Sequence, residues 1–160
     1  MKILGITLAR GGSKSVKLKN IRLINGKPLI AYTIEETLKS RYITNYIIST
    51  DNEEIAKVAK SYGAEVPFIR PSDLASDQAS SVSALKHAVN FIEERDNVTF
   101  DFIIETMCTN PLKTVVDIDS CIEKLIHTGS DSVIAIHQLF DHHPARIKKI
   151  VDDRIVDFDT

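Results

Sequence analysis

Short apolar runs that alternate with segments of helical spacing limit this chain more than any other feature. The runs cover 3–8, 46–49, 65–69, 102–105 and 132–136, each of strand length and rich in Ile and Val. A continuous apolar run of that length is the pattern of a strand buried on both faces. Between the runs, Leu29, Thr33, Ile34 and Leu38 share one helical face, as do Ile55, Val58 and Ala59. Val82, Leu85, Val89 and Ile92 form a third stripe, and Val115, Ile118, Ile122 and Leu125 a fourth. The order β-α-β-α-β-α-β-α-β predicts an α/β chain with a mostly parallel sheet and helices on both faces. Asp51 with Glu54 and Thr114 with Asp117 have capping-box spacing, while Gly63 and Gly129 fall where helices should stop. Residues 148–158 read as a short hairpin that turns at Asp152-Asp153.

At 160 residues the chain has the length of one domain, taken as 1–160. Its 43% apolar and 26% charged residues exclude a disordered, collagenous or disulfide-scaffold class. No stretch approaches the roughly 20 apolar residues that span a bilayer, so no membrane partner is expected. The N-terminal apolar run reads as a buried strand rather than a secretory signal, which predicts a cytoplasmic protein. Cys108 and Cys121 lack CxxC spacing and are expected as reduced thiols. A net charge of −2 gives no reason to expect nucleic acid as a partner.

Ligands of such sheets bind beyond the carboxyl ends of the strands. The segments to search are therefore 9–27, 50–52, 70–81, 106–113 and 137–146. The first stands out, because six cations (Arg10, Lys14, Lys17, Lys19, Arg22, Lys27) occur there without one Asp or Glu. Gly11 and Gly12 allow close backbone approach and Ser13 adds a hydroxyl. Such a loop can wrap a polyphosphate with backbone N–H groups while cations neutralise its charge. It is neither the Walker pattern nor the dinucleotide fingerprint. The plain alternative is a solvated basic loop at a sheet edge. His142 and His143 are adjacent, point to opposite sides of an extended segment, and cannot easily chelate one ion. His87, His127 and His137 read as surface or helix-face residues. Cys108 has no adjoining base and is not expected to act as a nucleophile.

The stretch L-A-R-G-G-S-K…K-N-I…G-K-P-L-I resembles the opening of the acylneuraminate cytidylyltransferase family, whose members make CMP-sialic acid and related activated sugar acids. The resemblance continues through I-I-S-T-D-N-E-E-I-A (47–56), G-A-E-V-P-F-I-R-P-S-D-L-A-S-D (63–77), D-S-V-I-A-I (131–136) and H-H-P (142–144). It implies a three-layer Rossmann-like nucleotidyltransferase fold. By the same resemblance Arg10, Gly11, Gly12, Ser13 and Lys14 belong to a nucleotide loop that holds the triphosphate of CTP. Lys19 matches an α-phosphate contact and Asn20 a nucleotide contact, although Asn20 also reads as a turn residue. Arg70 matches a contact to the cytosine ring, where a guanidinium offers donors to O2 and N3; an ion pair with Asp73 or Glu65 is its alternative. Ser80 and Ser81 match a nucleotide-binding pair, Ser81 being the better hydrogen-bonding candidate, and Asp77 reads as a helix cap.

The chain departs from the family after the fourth strand, with T-M-C-T-N-P-L-K where relatives commonly have L-Q-P-T-S-P-L-R. Met107 replaces a Gln that would contact the sugar acid, Asn110 replaces Ser and Lys113 replaces Arg. Thr109 is retained and, with His143 and Arg146, is expected on the sugar side. There Arg146 could meet a carboxylate, with Lys148 and Lys149 as competitors. A thioether cannot replace an amide's donors, so the departure points to a nonulosonic acid other than common sialic acid. The implied reaction is attack of the anomeric hydroxyl on the α-phosphorus of CTP with release of pyrophosphate. Mg²⁺ is the implied cofactor, and Lys19, Arg10 and Lys14 the residues that stabilise charge. Asp51 is read as a cap rather than a metal ligand. Relatives are longer, so the chain is expected to lack a C-terminal part that carries metal-holding acids and much of a homodimer contact. The alternatives are a non-catalytic or truncated cytidine-nucleotide-binding module, or a cytidylyltransferase for 3-deoxy-manno-octulosonate.

Overall fold

Alternate side chains of the first strand enter two different helix layers. A computed structural model describes residues 1–14, 16–136, 148–152 and 154–157. In it β1 (Ile3–Leu8) lies between β4 (Asn45–Ser49) and β5 (Phe102–Glu105) in a three-stranded parallel sheet. Ile6 is in register with Ile47 on one side and with Glu105 on the other. Leu4, Ile6 and Ile47 pack with Ala88 and Ile92 of α3 (Ser81–Asp96). Ile3 turns the other way, to Ile118 and Ile122 of α4 (Val115–Thr128). On that second face Ile30 and Ile34 of α1 (Leu29–Thr37) gather with Tyr46, Ile48 and residues Ile55 and Ala59 of α2 (Glu53–Ser61). The three-layer arrangement expected from the alternating runs is present.

The sheet is narrower than the sequence pattern suggests. Residues 65–69 form no strand; they touch β4 through two isolated parallel bridges, Ile47 with Glu65 and Thr50 with Ile69. Pro67 removes one donor between those bridges, which limits the ladder. Residues 132–136 are not a strand either, and Ile134 and Ile136 stand exposed. An apolar run becomes a strand only where a sheet edge accepts its ladder, and none does so here among the described residues. Beyond it, β6 (Lys148–Val151) and β7 (Arg154–Asp157) form the expected antiparallel hairpin, turning through Asp152 at φ +48°.

Two of the expected helix caps are corrected. Asn52, not Asp51, caps α2, its side chain accepting from the Glu54 and Ile55 amides at 3.0 Å each. Ser80, not Asp77, caps α3 and accepts from the Ser83 amide at 3.1 Å. In both cases the residue next to the helix has the reach, and the Asp lies too far N-terminal to satisfy the first-turn amides. Thr114 and Asp117 do form the expected capping box on α4. Gly63 and Gly129 carry the positive φ of a helix stop. A small hairpin, β2 (Leu23–Ile24) with β3 (Lys27–Pro28), turns at Asn25-Gly26 and returns the chain from the basic loop to α1.

Buried hydroxyls fasten the carboxyl ends of β1 and β5 to each other, to β4 and to α1. Thr7 Oγ1 lies 2.8 Å from Tyr46 Oη and 2.7 Å from Thr106 Oγ1, and Thr37 Oγ1 donates to Thr106 Oγ1 at 3.3 Å. Burial pushes the Tyr46 phenol up to about 12, so it stays neutral and hydrogen-bonded in this cluster. The rim from which the loops depart is thereby set by packing and hydrogen bonds together.

Candidate nucleotide site

The loop that leaves β1 is pinned at its start rather than at its tip. The Ala9 amide donates to Ser49 O at 3.0 Å, the Gly11 amide to Asp51 Oδ1 at 2.9 Å, and Asn20 Nδ2 to Arg10 O at 3.0 Å. Gly11 passes so close to the next loop that a Cβ there would lie 3.0 Å from Asn52 Cβ. Its missing side chain therefore serves loop-to-loop contact, whereas Gly12 faces open space. A single turn of 3₁₀ helix, Lys19–Ile21, follows Leu18 in left-handed conformation, and its middle residue, Asn20, is buried.

A cavity of about 510 Å³ opens at the carboxyl ends of β1 and β5. The basic loop contributes Arg10, Ser13, Lys14, Lys19 and Asn20 to its wall. Arg70, Ser80 and Ser81 come from the segment that leads into α3, and Glu105, Met107, Cys108 and Thr109 from the end of β5 and the loop after it. The structure thus brings together nine of the thirteen residues singled out from sequence. Gly11 and Gly12 are in the loop but not on the cavity wall, and His143 and Arg146 fall outside the described residues.

Charge inside the cavity is arranged in pairs. Asp77 accepts from Lys14 Nζ at 2.7 Å and lies 3.1 Å from Arg10 Nη1, which also donates to Ser76 O at 3.2 Å. Those two cations, Lys14 foremost, hold the Asp77 carboxyl below the usual carboxylate range. Arg70 is 4% exposed, and its backbone amide is tied to Thr50 O at 2.8 Å. Its Nη2 lies 3.9 Å from Asp51 Oδ1, and its buried Nε has no protein partner. Neither Asp73 nor Glu65 pairs with it; Glu65 bonds Arg95 instead. Burial pulls the Arg70 guanidinium below its ordinary value, with Asp51 opposing and Arg10 adding to the fall. Arg70 lines the cavity, while its Nε is shut off from solvent without a protein partner.

A family model described as Cytidylyltransferase matches residues 4–151. This chain belongs to the cytidylyltransferase family. It is 39% identical over 135 residues to a pseudaminic acid cytidylyltransferase of Campylobacter jejuni, covering 84% of this chain and 58% of that one. It is 38% identical over 136 residues to a CMP-N,N'-diacetyllegionaminic acid synthase of Legionella pneumophila, covering 85% and 58%. The chain therefore spans less than two thirds of the length of these relatives. Among solved structures, a CMP:2-keto-3-deoxy-manno-octonic acid synthetase complexed with CTP superposes with a TM-score of 0.67 at 19% identity, over 81% of this chain and 49% of that one. That likeness is one of fold, and it agrees with the three layers described above.

Sequence reading missed what holds the β5–α4 loop. Lys113 Nζ donates to Thr33 Oγ1 and Met107 O at 2.7 Å each and to Asn110 O at 2.8 Å, which uses all three ammonium donors. Burial lowers its pKa, with Cys108 and Glu36 opposing. Lys113→Met removes the donor to Asn110 O and to the Thr33 hydroxyl, leaves Met107 O with only that hydroxyl at 3.3 Å, and is expected to cost about 1–3 kcal/mol of stability. Urea unfolding measures it, with Lys113→Arg expected closer to wild type. The Lys-for-Arg departure is visible in the sequence, but its link to Thr33 on α1, 80 residues away, is not.

Cys108 is buried, and desolvation pushes its thiol up to about 12, so it is protonated and unreactive near neutral pH. Neither it nor Cys121 is in a disulfide. No group of three or more His, Cys, Asp or Glu among the described residues could hold a metal. In the cavity the carboxylates are Asp77 and Glu105, and Asp77 is engaged with Lys14 and Arg10. These residues do not by themselves form a cage for Mg²⁺.

Proposed function

We propose that this chain is the nucleotide-binding part of an enzyme that transfers CMP from CTP to a nonulosonic sugar acid, releasing pyrophosphate. The observation that carries the reading is the union, in one cavity, of three loop cations with a buried guanidinium whose Nε is unpartnered. A triphosphate suits the first and a pyrimidine with ring acceptors the second. In the reaction the anomeric oxygen of the sugar acid bonds to the α-phosphorus. The bond from that phosphorus to the bridging oxygen breaks, and pyrophosphate departs with the electron pair. Arg10, Lys14 and Lys19 would offset the charge that builds on the phosphate oxygens, and positioning supplies the rest. Met107 and Thr109, on the cavity wall, are the described residues at positions assigned to the sugar side.

The relatives named for pseudaminic and diacetyllegionaminic acids support an acceptor of that bacterial class. On this reading the enzyme works in the cytoplasm, where CTP is made, and as a homodimer, the state that the family resemblance implies. No described helix is long and apolar enough to cross a membrane. The test is a pyrophosphate-release assay with CTP and Mg²⁺ against pseudaminic, legionaminic, neuraminic and 3-deoxy-manno-octulosonic acids. Release dependent on one of the first two is the expected result, in the full-length protein if this chain alone is slow. Tight CTP binding with no release from either would favour a binding module.

A further inference from the structure

We infer that Asp51 is a positioning residue that couples the phosphate-binding loop to the guanidinium of Arg70. The inference rests on the nucleotide reading of the cavity. Asn52 already caps α2, so the Asp51 carboxylate is not used by the helix that follows it. One oxygen, Oδ1, instead serves both arms of the site: it accepts the Gly11 amide at 2.9 Å and lies 3.9 Å from Arg70 Nη2. Asp51 is three-quarters buried and is the one acid within ion-pair distance of Arg70 among the described residues. The close passage of Gly11 over Asn52 leaves that amide little room to find another acceptor.

Two consequences follow from the shared oxygen. Without its charge, a guanidinium that is 4% exposed and near Arg10 has no compensating anion, and its Nε loses its fixed direction. Without its acceptor, the Gly11 amide is unpaired and the loop loses one of its anchors. Asparagine separates these effects, because it keeps an acceptor for Gly11 and removes the charge. Alanine removes both.

The experiment is calorimetric titration of the wild-type chain, Asp51→Asn, Asp51→Ala, Arg70→Met and the double variant Asp51→Asn/Arg70→Met. CTP and inorganic tripolyphosphate are the two titrants, and circular dichroism checks the fold of each variant. Asp51→Asn is expected to weaken CTP about tenfold, leave tripolyphosphate unchanged, and have no further effect in the Arg70→Met background. Asp51→Ala is expected to weaken both titrants. Additive effects of Asp51→Asn and Arg70→Met, or equal losses of CTP and tripolyphosphate in Asp51→Asn, would overturn the coupling while leaving the nucleotide site intact. No CTP binding by the wild-type chain would overturn the nucleotide reading and the coupling with it.

Discussion

Arg70→Met is expected to lower CTP affinity roughly ten- to a hundredfold while tripolyphosphate binds as it does to wild type. The estimate follows from losing hydrogen bonds from a charged donor, worth about 1.5–3 kcal/mol. Methionine keeps most of the apolar stem, so the packing of a side chain that is almost wholly buried is largely retained. What disappears is the unpartnered Nε and its neighbouring amino groups. Calorimetry with both titrants measures the effect. Equal weakening of both would move Arg70 from the base to the phosphates.

The largest loss of stability is expected at the centre of the sheet. Ile6 is fully buried in the middle strand, where it packs with Ile47, Ala88 and Ile92. Truncation to alanine removes three carbons from a wall shared by β1, β4 and α3, and should cost about 2–5 kcal/mol. Against a typical domain stability of about 5–15 kcal/mol, that is a large fraction. Urea unfolding should show a lower midpoint with an unchanged slope. Leu112→Ala is the control, since Leu112 is 88% exposed and its truncation should move the midpoint little.

The helices were legible because their signals are local. Stripes at three- and four-residue spacing marked α1 to α4, and Thr114-Asp117 and Gly129 marked both ends of α4. The sheet was only partly legible, because a strand needs a neighbour as well as a pattern. Residues 3–8 and 132–136 look alike as apolar runs, yet one has two partners and the other none among the described residues. The site divides in the same way. The basic loop announced itself by composition, but Asp51 and Asp77 were read as caps because cap spacing is visible over three residues. Their actual partners, Gly11 for one and Arg10 with Lys14 for the other, lie 40 or more residues away. Asn52 and Ser80, adjacent to the helices, took the capping work.

The grip of Asp77 on Arg10 and Lys14 means that the loop is not a bare cationic trap. An incoming anion must outbid a carboxylate already seated there, and the carboxylate is tethered, so it returns as soon as the guest leaves. A single phosphate group gains little from that exchange, whereas a triphosphate brings enough charge to win it and still engage Lys19. The pair therefore acts as a threshold on ligand charge. On the proposed function, that threshold would favour a triphosphate over a monophosphate.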